Sequence, residues 1–466
     1  MKKTREVRYL PNNSVYDEKL AFSALCMGFF MIILDVTIVN VALPTMADYF
    51  HTKLSGLQWV VDGYTLTFAG LLLLVGSLSD VFGAKKIFQL GLISFSLASL
   101  GCAFSTSIAV LIVFRLLQGI SGALLLPSSL ALITDLYPQP EKKAHAIGIW
   151  AALGGIACAS GPFLGGFLTS LFSWRAIFLV NIFIGFTGFF LISYTMNIAV
   201  KNKVAKIEFD FFGQITGFIT IFLLAYGLIE TSIYGWANHL IISCFIGSVL
   251  CLILFLFTES RVKRPMLPLN LFQNRVTSMA LITAMVLNLT FYGQLFMIPF
   301  YFENLRHYTV FMTGLAILPL PGLALIGSYL GGKFTAAFGA KKIIFIGFFI
   351  AGMGFFSLLP LEQSSPSYLW IMIPFLAIGF GVSFATPAMT FVAIHSAEPE
   401  RTGIAAAVLN TGNQVGSLIG VAIFGTIAAI CKNFISAMHI TLFLSGAMFL
   451  ITAFLNIFFM KPKKSC

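Results

Sequence analysis

The sequence predicts an all-α polytopic membrane protein with fourteen transmembrane helices, and three observations carry that prediction. First, 58% of the 466 residues are apolar and only 10% are charged, against roughly 45–50% and 25% in soluble proteins. Second, the mean hydropathy of +0.95 is too high for a chain that must cover a soluble surface. Third, fourteen apolar runs each approach the roughly 20 residues that cross a bilayer. These observations exclude a soluble enzyme, a nucleic-acid-binding domain and a disordered chain.

Each predicted span is an apolar run bounded by turn residues or charges. The first run follows a polar, basic tail and exceeds 20 residues, which is longer than the apolar core of a secretory signal peptide. We therefore expect it to remain as a membrane span. In chain order, the runs lie near residues 20–43, 57–79, 87–105, 108–133, 144–170, 175–197, 210–231, 238–258, 276–301, 310–335, 340–360, 367–393, 401–430 and 437–460.

The basic residues predict that both termini are cytoplasmic. An even number of spans places the termini on one side, and that side receives 23 of the 28 lysines and arginines. Short cytoplasmic loops carry such an excess in membrane proteins. The net charge of +11 therefore reflects membrane orientation, and no nucleic-acid partner is expected. The remaining basic residues are four on the opposite side and one inside a span, namely Lys53, Arg175, Arg306, Lys432 and Arg115.

A long internal repeat organises the chain. The hexapeptide FGAKKI occurs at Phe82–Ile87 and at Phe338–Ile343, an offset of 256, and Gly119 recurs as Gly379. Helices 1–6 thus match helices 9–14, which is typical of transporters that work by alternating access. The predicted segments are a cytoplasmic tail (1–19), a first six-helix bundle (20–200), two linking helices (201–260), a cytoplasmic loop (261–275), a second six-helix bundle (276–460) and a cytoplasmic tail (461–466).

Helices 7 and 8 fall outside the twofold set of helices. We therefore expect the pair not to line the substrate path. Glu230 lies near an outer end of this pair, and its replacement by glutamine is expected to leave transport within a few-fold of the wild type.

Five segments together resemble one family. They are LDVTIVNVALP at 34–44, GSLSDVFGAKK at 76–86, RLLQGISGA at 115–123, GPFLGG at 161–166 and SWRAIFLVNIFIG at 173–185. In order and spacing they resemble the major facilitator superfamily, specifically its fourteen-helix drug:proton antiporter branch (the EmrB/QacA type). The resemblance implies the major facilitator fold, with two helices inserted between two six-helix bundles. One departure is Asn413, which stands where relatives often carry a basic residue.

Asp35 and Arg115 are the candidate proton-coupling residues. By the predicted helix ends, Asp35 is eight residues and Arg115 seven residues from the outer side, which puts both about 10–12 Å deep. An ionisable group at that depth needs a partner, water or a proton, and a guanidinium cannot lose its charge. We therefore expect the two residues to pair with each other.

Five polar residues are candidates for substrate binding. Asp62 in the segment WVVD lies about one turn inside helix 2, and drug-exporting relatives carry the same segment. The alternative is that Asp62 only favours the helix N-terminus electrostatically. The full predicted set is Asp62, Asn40, Gln118, Asn288 and Gln294.

The gating predictions rest on two motifs. In the loop motif the aspartate is placed to meet a helix end of the other half, and the two lysines are expected to be ordinary cytoplasmic anchors. In GPFLGG the small residues allow close helix packing, the proline permits a bend, and the resemblance associates the motif with antiport. A plain packing seam is the alternative. The residues are Asp80, Gly83, Lys85, Lys86, Gly161, Pro162, Gly165 and Gly166.

These observations predict a proton-coupled exporter of amphipathic organic compounds in the bacterial cytoplasmic membrane. The alternatives are a carrier dedicated to one natural substrate, an uptake carrier, and a non-transporting sensor or scaffold. No enzymatic constellation, phosphate-binding loop or metal-ligand spacing occurs in the sequence. We therefore expect no cofactor, because the proton gradient drives transport. The expected partners are the small substrate, protons and the lipid bilayer, with a periplasmic adaptor and outer-membrane channel as an optional extension.

Overall fold

The computed structural model describes residues 10–11, 15–197, 210–262, 265–361, 367–395 and 402–459. Thirteen helices in this part of the chain are long and apolar enough to cross a membrane, and a further one, of 29 residues, completes the set of fourteen. In chain order they are α1 (Val15–Phe50), α2 (Leu54–Phe82), α3 (Ala84–Ala103), α4 (Ile108–Leu136), α5 (Pro140–Leu171), α6 (Ala176–Thr195), α7 (Phe211–Tyr234), α8 (His239–Arg261), α9 (Arg275–Phe300), α10 (Val310–Phe338), α11 (Ala340–Ser357), α12 (Leu369–His395), α13 (Thr402–Ile430) and α14 (Phe434–Phe459).

Two of the helices are irregular. α9 continues into a π-helical turn at Tyr301–Leu305. α10 is divided into Val310–Ile317, Pro319–Gly322 and Ala324–Phe338, because its prolines cannot donate the backbone hydrogen bonds of a continuous helix. A 3₁₀ turn also precedes α9, at Leu269–Gln273.

A short antiparallel strand pair defines the two faces of the bundle. β1 (Leu10–Pro11) pairs with β2 (Met196–Asn197), so the start of α1 and the end of α6 lie at one face. We call the face where α1 begins the terminal face and the opposite one the distal face.

The repeat found in the sequence has a counterpart in the backbone. Gly83 and Gly339 have φ angles of 89° and 84°, a region that glycine enters without steric cost. The structure adds a second pair at the same offset, since His51 and His307 follow α1 and α9 with φ angles of 49° and 53°. Left-handed residues of this kind commonly end helices. The two sets of six helices therefore turn alike at corresponding positions.

The two sets of six helices contact each other near the distal face. On one side, the Gln58 amide of α2 donates to the carbonyls of Val421 and Ala422 in α13, at 3.2 and 2.8 Å. On the other side, Gly166 of α5 packs against Gly314 of α10.

On the terminal side of these contacts, cavities lie between the two halves. One, of about 410 Å³, lies near the middle of the helices, between Gly155–Phe163 of α5 and Leu318–Leu325 of α10. Another, of about 360 Å³, lies between α2 and α13. The described structure is therefore closed at the distal face and parted towards the terminal face.

Helix α7 forms hydrogen bonds with both halves. The Trp59 indole of α2 donates to Glu230 of α7 at 2.8 Å, and the Thr426 hydroxyl of α13 donates to the Leu228 carbonyl at 2.7 Å. Nearer the terminal face, the Gln214 amide of α7 donates to a carbonyl of α2. Helix α7, which the sequence repeat leaves outside the two sets of six helices, therefore covers the seam between α2 and α13.

Candidate functional site

Asp35 of α1 and Arg115 of α4 form a buried ion pair. Arg115 Nη1 donates to Asp35 Oδ2, and the two side chains are 1% and 0% exposed. The pairing follows from chemistry, because neither charge could be buried in an apolar bundle alone without a large desolvation cost. The structure thus brings together the two residues predicted to carry proton coupling.

A shell of neutral donors and acceptors surrounds the ion pair. The Asn181 amide of α6 donates to Asp35 Oδ1 at 2.7 Å. Gln118 Nε2 donates to the same oxygen at 3.3 Å, while Gln118 Oε1 accepts from Arg115 Nη1 at 2.9 Å. Arg115 Nε donates to the Val60 carbonyl at 2.8 Å. Four helices, α1, α2, α4 and α6, therefore contact the pair. A change in its charge alters hydrogen bonds to all four.

Aromatic rings complete this environment. The Arg115 guanidinium carbon lies 4.7 Å from the centroid of Tyr64 and 5.9 Å from that of Phe178. Such contacts are attractive for a guanidinium, more so when water is excluded. Arg115 therefore keeps a favourable environment when Asp35 is neutral.

The end predicted for helix 1 is wrong. The predicted span stops near residue 43, but α1 continues through Pro44 to Phe50. A proline removes one backbone hydrogen bond without ending a membrane helix whose neighbours compensate. Asp35 thus lies 15 residues from the end of α1, about 22 Å along the axis, whereas its partner Arg115 lies seven residues from the start of α4.

Among the described residues, the buried Asp35–Arg115 pair has no counterpart at the matching positions of the second half. At the repeat offsets of 256 and 260, the positions matching Asp35 and Arg115 carry Phe291 and Phe375. Both phenylalanines are buried. Within the described residues, no group of three His, Cys, Asp or Glu side chains could hold a metal ion.

Asp62 is fully buried on α2 and is not part of the Asp35–Arg115 ion pair. Neither carboxylate oxygen has a hydrogen-bond partner among the described residues. Gln58 and Leu66, one turn to either side on the same stripe of the helix, contact α13. Asp62 therefore lies at the seam between the halves, on a side of α2 different from that of Val60.

The other predicted substrate-binding residues are scattered. Gln118 belongs to the shell of the ion pair, and Asn40 donates to the Val36 carbonyl of its own helix at 2.8 Å. In the second half, the Asn288 amide donates to Asn413 at 2.9 Å, so the residue that replaces a basic side chain of relatives forms a neutral pair.

Gln294 is the last of that set. Its amide donates to Ser445 at 3.1 Å, and its buried Oε1 has no hydrogen-bond partner in the described chain.

Lys85, which the sequence predicts to be an ordinary cytoplasmic anchor, makes a specific contact inside the bundle. It is buried and donates to the carbonyl of Met196 just after α6, where a cation is favoured by the partial negative charge of a helix end. Lys86 is exposed, and Gly83 makes the turn between α2 and α3. The side chain of Asp80 lies outside the described residues.

The GPFLGG segment packs in two directions. Gly161 and Gly165 lie against Ile38 of α1, inside the first half, and a Cβ at Gly165 would be 2.6 Å from the Ile38 carbonyl oxygen. Gly166 faces α10, where a Cβ would be 2.7 Å from the Val310 carbonyl oxygen. Gly314 in turn faces the Pro162 carbonyl. The segment is thus a packing seam that also forms part of the distal contact between halves.

Comparison with known families agrees with this architecture. The sequence profile of the Major Facilitator Superfamily matches residues 25–421. The chain belongs to this superfamily. Two solved transporter structures share the fold, the nucleoside transporter NupG (TM-score 0.67, 10% identity, 95% of this chain and 100% of that chain) and a bacterial homologue of the lysosomal transporter Spinster (TM-score 0.64, 16% identity, 96% and 97%).

Several more similar sequences are resistance proteins. The methylenomycin A resistance protein of Bacillus subtilis is 36% identical over 92% of this chain and 92% of its own length. A protein of the same name from Streptomyces coelicolor is 32% identical over 87% and 84%. The tetracenomycin C resistance and export protein of Streptomyces glaucescens is 31% identical over 87% and 75%.

Proposed function

We propose that this protein exports amphipathic organic compounds, such as antibiotics, from the cytoplasm in exchange for protons. The observation that carries the proposal is the buried Asp35–Arg115 pair, in a bundle closed at one face and parted towards the other. The pair offers one carboxylate that can take up a proton and one cation that cannot lose its own. The names of the relatives support an antibiotic or drug as the substrate.

The proposed cycle couples the protonation of Asp35 to the movement of the halves. With the bundle parted at the terminal face, substrate enters between the halves as Asp35 releases its proton and pairs with Arg115. Rocking opens the distal face, substrate leaves, and a proton binds Asp35 and releases Arg115. The return step carries protonated Asp35 back to the terminal side, where the next substrate binds, the proton is released and the ion pair forms again.

The proton gradient supplies enough energy for this cycle. One charge that moves across 100 mV contributes about 2.3 kcal/mol, which is nearly fifty-fold in substrate accumulation. Neither ATP nor a cofactor is needed for that drive.

We further propose that the terminal face is cytoplasmic and that the membrane is the bacterial inner membrane. Gln139 lies exposed between α4 and α5 at the terminal face, and Thr106 lies exposed between α3 and α4 at the distal face. In a background whose native cysteines are serine, we expect Thr106→Cys to react with an impermeant thiol reagent in intact cells. Gln139→Cys should react only after the membrane is broken. The reverse pattern would contradict the orientation.

Asp62 is proposed to recognise cationic substrates when the seam between α2 and α13 opens. A carboxylate attracts a cation but gives little to a neutral compound. We therefore expect Asp62→Asn to lower the export of ethidium about tenfold, while a neutral antibiotic such as chloramphenicol changes less than about twofold. Equal loss of both would assign Asp62 to coupling or folding instead.

The export of a panel of dyes and antibiotics tests the proposed function. The gene is expressed in a host that lacks its own pumps, and efflux is measured with and without an uncoupler. We expect at least one amphipathic compound to be extruded, and the uncoupler to stop its extrusion. Efflux that persists with the gradient collapsed would contradict proton coupling.

A carrier dedicated to a single compound is the second candidate. The relatives named for one antibiotic, methylenomycin A, favour it. The same panel separates the two, because a dedicated carrier protects against one compound and leaves the dyes inside the cell.

A further inference from the structure

A cavity of about 360 Å³ lies beside the seam between α2 and α13, on the terminal side of the Gln58 contact. Its walls include Gly70 of α2, Gln214 and Phe218 of α7, and Gly412 of α13. The inserted pair α7–α8 thus lines a space between the halves. Its volume is within the range of about 300–1,000 Å³ that small-molecule sites occupy.

The chemistry of the walls selects an uncharged, apolar group. Glycine, phenylalanine, leucine, isoleucine, valine and methionine make up most of the lining, and no residue of the described lining is charged. The polar groups are few. Gln214 already donates to the Gly70 carbonyl, and the Thr411 hydroxyl has no hydrogen-bond partner among the described residues. A charged ligand would lose its hydration here without compensation.

The cavity depends on how the halves are arranged. α2 belongs to the first half, whereas α9 and α13, which also line the cavity, belong to the second. At this level α7 is hydrogen-bonded to α2 through Gln214, while its bond to α13 lies nearer the distal face at Leu228. Movement of α13 towards α2, as the terminal face closes, would remove the space.

We infer that this cavity is a binding site for uncharged, apolar substrates, present only while the terminal face is open. The inference rests on the proposed function. A molecule that binds there favours the open state, because a ligand shifts a conformational equilibrium by its difference in affinity for the two states. The site is separate from Asp35 and Asp62 and uses helices that the twofold repeat leaves out.

The test fills the cavity and follows an uncharged probe. At Gly412 the nearest atom to an added Cβ is Met285 Cγ, 3.6 Å away, so a side chain can begin there without a clash, and Gly412→Phe places a ring in the cavity that Gly412 lines. Gly332 of α10 has no atom within 4 Å of its Cβ position and does not line the cavity, so Gly332→Phe is the matched control. Purified protein in lipid nanodiscs is photolabelled with an iodophenyl trifluoromethyl diazirine, with and without Nile red, and the labelled peptides are identified.

We expect the wild type and Gly332→Phe to be labelled within 213–221 and 408–415, and Nile red to displace that label. Gly412→Phe should lose the label and export Nile red about tenfold more slowly, while ethidium export changes less than about twofold. Unchanged labelling in Gly412→Phe, or label that Nile red does not displace, would overturn the inference, the latter because lipid then fills the cavity. Equal loss of both dyes would also overturn it.

Failure of the proposed function would be distinguishable from failure of this inference. A wild-type protein that exports no compound of the panel contradicts the exporter proposal. Labelling that Nile red displaces and that Gly412→Phe abolishes would still show an apolar site in that case.

Discussion

Replacement of Asp35 by asparagine is expected to abolish proton-driven export. Asparagine keeps the size of the side chain but cannot exchange a proton, so the cycle loses its coupling step. Efflux driven by an imposed pH gradient in proteoliposomes should fall to about a hundredth of the wild-type rate or less, a loss of some 2.7 kcal/mol in the coupled step.

The control for this variant is a second change from carboxylate to amide. Glu230 accepts a hydrogen bond from Trp59, and the side-chain oxygen of glutamine can accept the same bond. Glu230→Gln should therefore retain export within a few-fold of wild type. Because Asp35→Asn leaves the Arg115 charge without its counter-ion, its folding is checked by thermal unfolding and by dye binding. An Asp35→Asn protein that still builds a substrate gradient would rule out Asp35 as the coupling site.

Gly166→Leu is expected to stop transport by a different route. The leucine Cβ would lie 2.7 Å from the Val310 carbonyl oxygen of α10, so α5 and α10 must separate. The distal contact between the halves would then be lost, and the bundle would favour the state that is open at the distal face. We expect export to fall by about a hundredfold.

The structural effect of Gly166→Leu can be measured as a distance. Leu171 and Met312 are exposed near the distal ends of α5 and α10 and can carry spin labels in a cysteine-free background. Their separation should lengthen in Gly166→Leu. Gly155→Leu is the matched control, because Gly155 lies on the same helix and its Cβ would meet only Leu325 at 3.7 Å. An unchanged distance in Gly166→Leu would contradict this account of the seam.

The fold and the ion pair were predictable from sequence for a shared physical reason. Long apolar runs and the asymmetry of basic residues report directly on the bilayer. A charge inside such a run is costly enough to demand a partner, and Asp35 and Arg115 were natural partners for each other. The repeat of FGAKKI reflects a turn that glycine permits in both halves.

Other contacts of the site could not be predicted from the sequence. Asn181 lies within the segment at 173–185 that resembles the family. The free-energy cost of placing a neutral amide in an apolar helix is small, so the sequence does not indicate that Asn181 contacts Asp35. The burial of Lys85 depends on where α6 ends in space. The repeat shows that α7 lies outside the twofold set, yet it does not say that the helix covers the seam. The Trp59–Glu230 contact joins residues 171 positions apart.

Proton release on substrate binding tests the central claim most directly. The purified protein is placed in weakly buffered detergent solution, and an exported compound is added while a pH indicator is followed. The proposed cycle predicts that the wild type releases protons as the Asp35–Arg115 pair forms, and that Asp35→Asn binds the compound without release. Equal proton release by Asp35→Asn and the wild type would contradict it.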